Sequence, residues 1–346
     1  MTQLCPTTNA ARGTTYLFIQ GFASSVISLI YFVVLTRTLL KEEMGVFALL
    51  SFTLNLVPIL GTFALPSATV KSYDIVGDIA IVRVHEILKP KAHVIAEAIM
   101  KTHKRVKTVL LQASPVFGEF RLRDLQWIAG ENKTETIHRE FGCLFKVDLK
   151  QVYFSPRLSH ERMRIAKIAR PNEVIVNLFA GVGCFSIIMA KFSKIDKVYS
   201  IDINPTAVRY MRENVELNKV EGRVIPIAGD AEEVAEKRLK NLADRVLMPL
   251  PEKAYEYLEQ ALFALKPSAG YIHYYAFEHA TKNESPIEKV KARVSEKLKK
   301  LKTEFDIPFG RIVRTTGPNW YQIVIDIQIT SNSALSIWNI DKTFMY

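Results

Sequence analysis

Residues 173–202 read EVIVNLFAGVGCFSIIMAKFSKIDKVYSID, and this stretch decides the fold. The apolar run VIVNLF is short and bounded by a turn of small residues, as expected of a strand buried on both faces. Ala180-Gly181-Val182-Gly183 then leads into a helical stretch, CFSIIMAKF. Small residues at such a turn let backbone N–H groups and a helix N-terminus approach a ligand closely. KVYSID is a second strand, ending on Asp202 about twenty residues beyond the glycines. A carboxylate at that strand tip is placed to accept hydrogen bonds from a ribose diol.

The alternation continues outward. PTAVRYMRENVELNK is a helix with Pro205 at its start, RVIPIAGD a third strand ending in Asp230, and DRVLMPLP a fourth. YEYLEQALFALKP is a helix and GYIHYYAF a fifth strand. Regular β/α alternation predicts a doubly wound, mostly parallel sheet with its ligand at the carboxyl ends of the strands. A dinucleotide dehydrogenase would prefer G-x-G-x-x-G after the first strand; here Ser186 stands where the third glycine would be. Two tip carboxylates, Asp202 and Asp230, suit a nucleoside with a ribose and an adenine edge to hold, so S-adenosylmethionine fits better than NAD. Either aspartate could instead serve as a helix N-cap. Downstream, SPIEKVKARVSEKLKKLKTEF is a charged amphipathic helix, and FGRIVRTTGPNWYQIVIDIQI is two strands around a Thr-Gly-Pro-Asn turn. A five-strand core finished by a helix and an antiparallel hairpin is the layout of Rossmann-like class I methyltransferases.

Upstream, SYDIVGDIAIVRV reads as a strand pair, HVIAEAIMKTHKRV as an amphipathic helix and TVLLQ as a strand. This predicts a small α+β domain over 71–115. GEFRLRDLQWIAG, TETIHREFGCLFKVDL and KQVYFSPRL suggest a second, β-rich domain over 116–165, ahead of a catalytic domain over 166–330 and a tail over 331–346. Arg121, Arg123, Arg139 and Lys146 are candidate phosphate contacts, although basic residues on strands are commonly only a solvated face.

The first seventy residues stand apart. Residues 13–36 and 46–65 carry no charged side chain, and each run is long enough to cross about 30 Å of hydrocarbon as a helix. The pair predicts a hydrophobic helical hairpin over 1–70, with membrane contact through residues 13–65 and a catalytic unit in the cytoplasm. RGTTYLFIQGFASSVISLIYFVVLTRTLLKEEMGVFAL resembles the opening helices of polysaccharide or lipid flippases, and a transporter of that kind needs many more spans.

The whole chain has 346 residues, enough for about two domains, and is 49% apolar and 23% charged, which excludes a disordered, collagen-like or disulfide-stapled protein. Cys5, Cys143 and Cys184 are scattered with no Cys/His cluster, so no metal site is expected. A net charge of +11 favours a polyanionic partner, and beyond residue 70 the chain still holds 43 basic against 33 acidic residues.

Seven strings in order, SYDIVGDIAIV, VYFSPRLSHERMRIA, NLFAGVGCFSI, SIDINPTAVRYMRENVELNK, IAGDA, DRVLMPLP and GYIHYY, carry a resemblance to a known family. Residues 72–330 resemble the archaeal and eukaryotic tRNA guanine-37 N1-methyltransferases, which include wyosine-pathway enzymes. The resemblance implies S-adenosylmethionine as methyl donor, a purine at anticodon-loop position 37 as acceptor, and a small domain docking on the tRNA elbow; a monomeric catalytic unit is expected. It places cofactor binding at Phe179, Ala180, Gly181, Gly183, Asp202, Ile203, Asp230 and Ala231. Arg157, in FSPRL, matches the family's catalytic arginine, which would stabilise charge developing on guanine O6; a phosphate contact or a salt bridge to Glu161 is the alternative. His160 and His273 read as packing or capping residues, and no general base is identified. Pro249 and Pro251 hold the catalytic loop after the fourth strand. The family's guanine methylators carry Asn-Leu-Pro where this chain has Pro249-Leu250-Pro251, and proline has no donor to offer a base. Carbon methylation of a wyosine precursor is therefore a rival to N1 methylation, with aminocarboxypropyl transfer third. A non-catalytic, membrane-anchored RNA-binding protein is the alternative from another class.

Overall fold

The computed structural model describes residues 70–331. The hairpin expected over 13–36 and 46–65, and the tail from residue 332, lie outside the described residues. Among the described residues no helix is long and apolar enough to cross a membrane.

The chain first builds a four-stranded sheet in the order β1-β2-β3-β4: β1 (Val70–Val76), β2 (Ile79–Val84), β3 (Thr108–Gln112) and β4 (Leu125–Gly130). β2 and β3 run parallel, joined through helix α1 (Ala92–Thr102), and the outer pairings are antiparallel. Ala80, Val82, Val109 and Leu111 pack under Ala96 and Ile99 of the helix, closing a small core. The boundary expected at 115/116 is thus misplaced. The segment after β3 is a protruding loop, and LQWIAG returns to pair with β3 instead of opening a second domain. Its burial does not alternate cleanly, so the strand's sheet partner could not be read from its pattern.

β5 (Glu135–Glu140) and β6 (Cys143–Asp148) form a separate antiparallel ribbon. The β1–β2 turn ties this ribbon down: Asp78 accepts from Thr136 Oγ1 at 2.6 Å and from Lys133 Nζ at 2.7 Å. The Gly77 N–H donates to His138 Nδ1 at 3.2 Å. Burial, helped by the nearby Arg162 guanidinium, depresses the His138 pKa to about 4, so the ring stays a neutral acceptor at physiological pH.

After helix α2 (Ser159–Ile168) comes the main sheet. It alternates β7 (Val174–Asn177), α3 (Cys184–Phe192), β8 (Lys197–Asp202), α4 (Pro205–Leu217), β9 (Val224–Ala228), α5 (Ala231–Arg238), β10 (Arg245–Met248), α6 (Leu258–Ala264) and β11 (Gly270–His279). Helix α7 (Pro286–Lys300) leads into the hairpin β12 (Glu304–Gly317) and β13 (Trp320–Ser331). The order is β12-β13-β11-β10-β7-β8-β9, parallel from β11 to β9 and antiparallel at β13 and β12. This is the doubly wound layout expected from the alternation. The order turns back between β7 and β10, and that switch point is where an open α/β sheet binds its ligand.

The β5–β6 ribbon is not free-standing either. Asn214 and Asn218, one turn apart on α4, offer their amides to the edge of β6. Asn214 accepts from the Lys146 N–H at 2.6 Å and donates to its carbonyl at 3.1 Å; Asn218 does the same for Leu144 at 2.9 and 2.6 Å. Two side chains thus complete a strand edge that would otherwise be left unpaired.

Candidate functional site

The first corner of the site lies at the carboxyl ends of β7 and β8. Gly181 and Gly183 both hold positive φ, 57° and 89°. At Gly183 a Cβ would stand 2.8 Å from Met211 Cγ, so glycine lets the start of α3 press against α4. Ser186, in place of a third glycine, is wholly buried and accepts from Asn177 Nδ2 at 3.2 Å and from Ser200 Oγ at 2.7 Å, linking β7, α3 and β8.

Asp202 anchors this corner. Its Oδ2 accepts from the Gly181 N–H at 2.7 Å and its Oδ1 from the Asn204 N–H at 2.9 Å. Burial raises the carboxyl pKa despite both bonds, so the charged form gains from any further donor. Each oxygen keeps a second lone pair for that purpose. Asp202 is not a helix cap: Asn204 caps α4, accepting from the Thr206 N–H, with Pro205 at the first helical position. Ile203 beside it is 38% exposed, an apolar face at the mouth of the corner.

Asp230 takes the other role. Its Oδ1 accepts from the N–H groups of Glu232 and Glu233, capping α5, and its Oδ2 accepts from the Tyr257 hydroxyl at 3.1 Å. Burial, with Asp230 adjacent, pushes the Tyr257 pKa up to about 12. Tyr257 stands edge-on to Phe179, with ring centroids 5.2 Å apart. Phe179, Asp230 and the buried Ala231 therefore meet at the neighbouring strand tips, with Ala180 under the glycine turn. Tyr257 was not singled out from the sequence, and nothing in its local pattern sets it apart.

The second part is a cleft of about 330 Å³ between the small sheet and the part of the chain that carries the main sheet. Arg157, Tyr153, Arg121, Glu252, Arg314 and Trp320 are on its walls. Arg157 sits in a short 3₁₀ turn and donates from Nε to Asp74 Oδ1 at 2.6 Å. The alternative partner considered for it, Glu161, is buried elsewhere, accepting from Arg164, Arg311 and Tyr275. Glu252 directly follows Pro251, which puts the end of the Pro249-Leu250-Pro251 loop in this cleft.

The loop is also gripped from the small sheet. Arg121 donates to Glu252, and its guanidinium lies 4.6 Å from the centroid of the Tyr153 ring. Arg121 is thus a cleft residue. Arg123 is buried and bonds the Phe154 carbonyl at 3.0 Å, and Lys146 pairs with Glu135 and Glu213. Arg139 stays on an exposed strand face. His273 lies inside the sheet between Arg245 and Asp326, as a packing histidine should. Among the described residues no cluster of His, Cys, Asp or Glu could hold a metal.

Residues 136–304 match the family described as the TRM5/TYW2 methyltransferase domain, and residues 65–134 match the TYW2 N-terminal domain. Trm5b of Pyrococcus abyssi, a tRNA (guanine(37)-N(1))-methyltransferase, is 44% identical over 259 residues, covering 75% of this chain and 75% of that protein. The chain belongs to the TRM5/TYW2 methyltransferase family. The crystal structure of that Trm5b superposes with a TM-score of 0.68 at 43% identity, covering 79% of this chain and 78% of the other. Taw21 of Saccharolobus solfataricus, a tRNA 4-demethylwyosine(37)-methyltransferase, is 40% identical over 75% of this chain and 94% of its own length. TYW2 of M. jannaschii, solved in complex with AdoMet, matches at a TM-score of 0.57 and 30% identity over 75% of this chain and all (100%) of that one. The Asp202 corner thus keeps acceptor capacity to spare beside the Gly181–Gly183 turn and the half-exposed Ile203, and the cleft gathers the arginines.

Proposed function

We propose that this protein is an S-adenosylmethionine-dependent tRNA methyltransferase acting on the purine at position 37, with N1 of guanine as the acceptor atom. The observation that carries the reading is the adjacency of the two parts of the site. Tyr153, whose ring lines the arginine cleft, brings its carbonyl to 4.0 Å from the Cβ position of Gly181 in the adenosine corner. When bound, the cofactor supplies an electrophilic methyl group on a sulfonium. The chain's own part is to hold the two substrates and stabilise charge. Asp202 accepts from the ribose hydroxyls, while Ile203 and Phe179 offer apolar faces. As the N1 proton leaves, negative charge builds on guanine O6, and the fixed guanidinium groups of Arg157 and Arg121 stabilise it. One chain supplies all of these groups, which supports a monomeric catalytic unit.

The partner is the anticodon loop of tRNA. The small sheet contributes Asp74 and Arg83 to the acceptor cleft, and the loop between β3 and β4 contributes Arg121 and Arg123. An element lying at the acceptor nucleotide supports a contact at the anticodon end, beside the elbow contact that the family resemblance implies.

A second reading is supported by two observations. Pro249 replaces the asparagine that guanine methylators present, and the wyosine-step relative is matched along 94% of its length against 75% for the Trm5b relative. In that reading the methylated atom is a carbon of the wyosine precursor at the same position. Transfer of labelled methyl groups to tRNA carrying unmodified G37, and to tRNA carrying the precursor, followed by nucleoside analysis, separates the two. The expected product is 1-methylguanosine; transfer only to the precursor selects the second reading, and no transfer to either overturns both. We further read residues 13–65 as a membrane anchor, supported by their two uncharged runs. Sedimentation of the full chain with membranes, resisting a high-salt wash, is the expected result.

Removing the ribose acceptor should weaken the cofactor selectively. Asp202→Ala is expected to raise the Kd for S-adenosylmethionine by roughly 10- to 100-fold, the scale of hydrogen bonds to a charged acceptor. Calorimetry measures it, and an unchanged Kd would remove Asp202 from the site.

A further inference from the structure

We propose that Trp320 is the platform on which the acceptor base stacks, a base-binding residue carried by the β12–β13 hairpin; this rests on the reading of the cleft as the acceptor site. The sequence assigns Trp320 no role beyond a strand start, and the strand pairing supplies one. Trp320 pairs with His279 at the carboxyl end of β11. β11 runs parallel to β10, whose carboxyl end leads into the Pro249–Pro251 loop. The hairpin therefore folds back to the sheet edge where transfer takes place. There Trp320 lines the same cleft as Arg157 and Glu252.

Three features prepare the indole for this task. It is 47% exposed, so a large aromatic face is available. It is held: its ring stands edge-on to His279 with centroids 5.4 Å apart, and its carbonyl accepts from Thr316 Oγ1 at 3.2 Å. The turn beneath it is fixed as well. Pro318-Asn319 joins Gly317 to Trp320, Asn319 has φ 59°, and its carbonyl accepts from the Ala280 N–H at 3.0 Å. Proline followed by a residue of positive φ is the sequence a type II turn requires. A pre-positioned aromatic loses little freedom on binding.

The charge around it selects a nucleotide over a neutral aromatic ligand. Five arginines and two carboxylates line the cleft. Arg314 sits three pairs up the hairpin with Nε on Gln322 Oε1 at 2.7 Å. A π-face beside excess positive charge is the arrangement that holds an unstacked base while its phosphates are neutralised.

The test uses the full chain with Trp127 and Trp338 replaced by phenylalanine, leaving Trp320 as the single indole. An anticodon stem–loop carrying G37 should quench its emission, and the same RNA with an abasic site at 37 should not. Trp320→Ala should raise the KM for tRNA about 5- to 100-fold, the loss expected for one base–aromatic stack. It should leave the Kd for S-adenosylmethionine within about twofold, and Trp320→Phe should recover most of the loss. Equal quenching by the two RNAs, or an unchanged KM in Trp320→Ala, overturns the proposal. The quenching experiment needs no turnover. If no position-37 substrate is methylated but the G37 loop alone quenches, the methyltransferase reading fails while the stacking assignment stands.

Discussion

Arg157→Ala should lower the single-turnover rate of methyl transfer by about 10²–10³-fold, equivalent to roughly 2.7–4 kcal/mol of lost transition-state stabilisation. The chain should stay folded and bind cofactor normally. The side chain is 37% exposed on the cleft wall, and its Nε is fixed by Asp74 at 2.6 Å, so its position does not depend on the substrate. A fixed donor aimed at developing charge acts mainly on kcat, whereas a phosphate contact acts mainly on KM. Arg157→Lys should recover little, because an ammonium cannot both hold Asp74 and present a second, planar-directed donor. Arg121→Ala should add a separate defect, since it also frees Glu252 and with it the end of the Pro249–Pro251 loop. A rate unchanged in Arg157→Ala, with a raised KM for tRNA, would assign this arginine to the phosphate backbone. Arg121 would then be the remaining candidate for the charge on O6.

Asp326→Ala should cost about 3–5 kcal/mol of stability, read as a fall in the urea midpoint, because it strands buried charge. Asp326 accepts from Arg164 at 2.6 and 3.0 Å and from His273 Nδ1 at 2.6 Å. The tautomer is fixed by chemistry. Arg245 lies 2.6 Å from His273 Nε2, and a guanidinium only donates, so Nε2 accepts and Nδ1–H donates to Asp326. Burial keeps the imidazole neutral, its pKa lowered, while His273 and Arg164 hold the Asp326 carboxyl well below the usual carboxylate range.

Both shifts have the same sign in pH. The unfolded chain takes up a proton on the histidine below about pH 6.5 and on the aspartate below about pH 4, where the folded chain does not. Stability from this network is therefore complete above about pH 6.5 and declines as the pH falls through those two windows. Urea midpoints should drop between pH 7.5 and 5 and again below 4, with the second drop blunted in Asp326→Ala. A midpoint that rises on acidification would contradict this account.

The catalytic sheet was legible because its strands are short apolar runs separated by helical periods. The glycine turn and Asp202 fall at a fixed spacing from the first strand. That spacing follows from the geometry of one β-α-β unit, so a linear pattern is enough to find it. Capping was legible only as a choice: both aspartates suited either role, and the hydrogen bonds assign the cap to Asp230 and bind Asp202 to the Gly181 and Asn204 N–H groups. The division of the upstream half was not legible. LQWIAG has no pattern that states its partner, and β-pairing depends on which distant edge is free.

The sequence by itself determined the succession of strands in the main sheet, the glycine turn with Asp202 and the position of the proline loop, since each rests on residues close along the chain; the helices Ser159–Ile168 and Ala231–Arg238 were not read from it. Only the tertiary structure decided the arginine-lined cleft. Asp74, Arg121, Arg157, Glu252 and Trp320 come from five separate segments, and a residue's chemistry does not state its distance from another. Nothing in the local sequence separates Arg121 from other basic residues; its contacts with Glu252 and Tyr153 do. Pairing of β13 with β11 brought Trp320 to the same wall. Sites of this kind are assembled by sheet register and domain packing, which long-range burial fixes and local sequence does not.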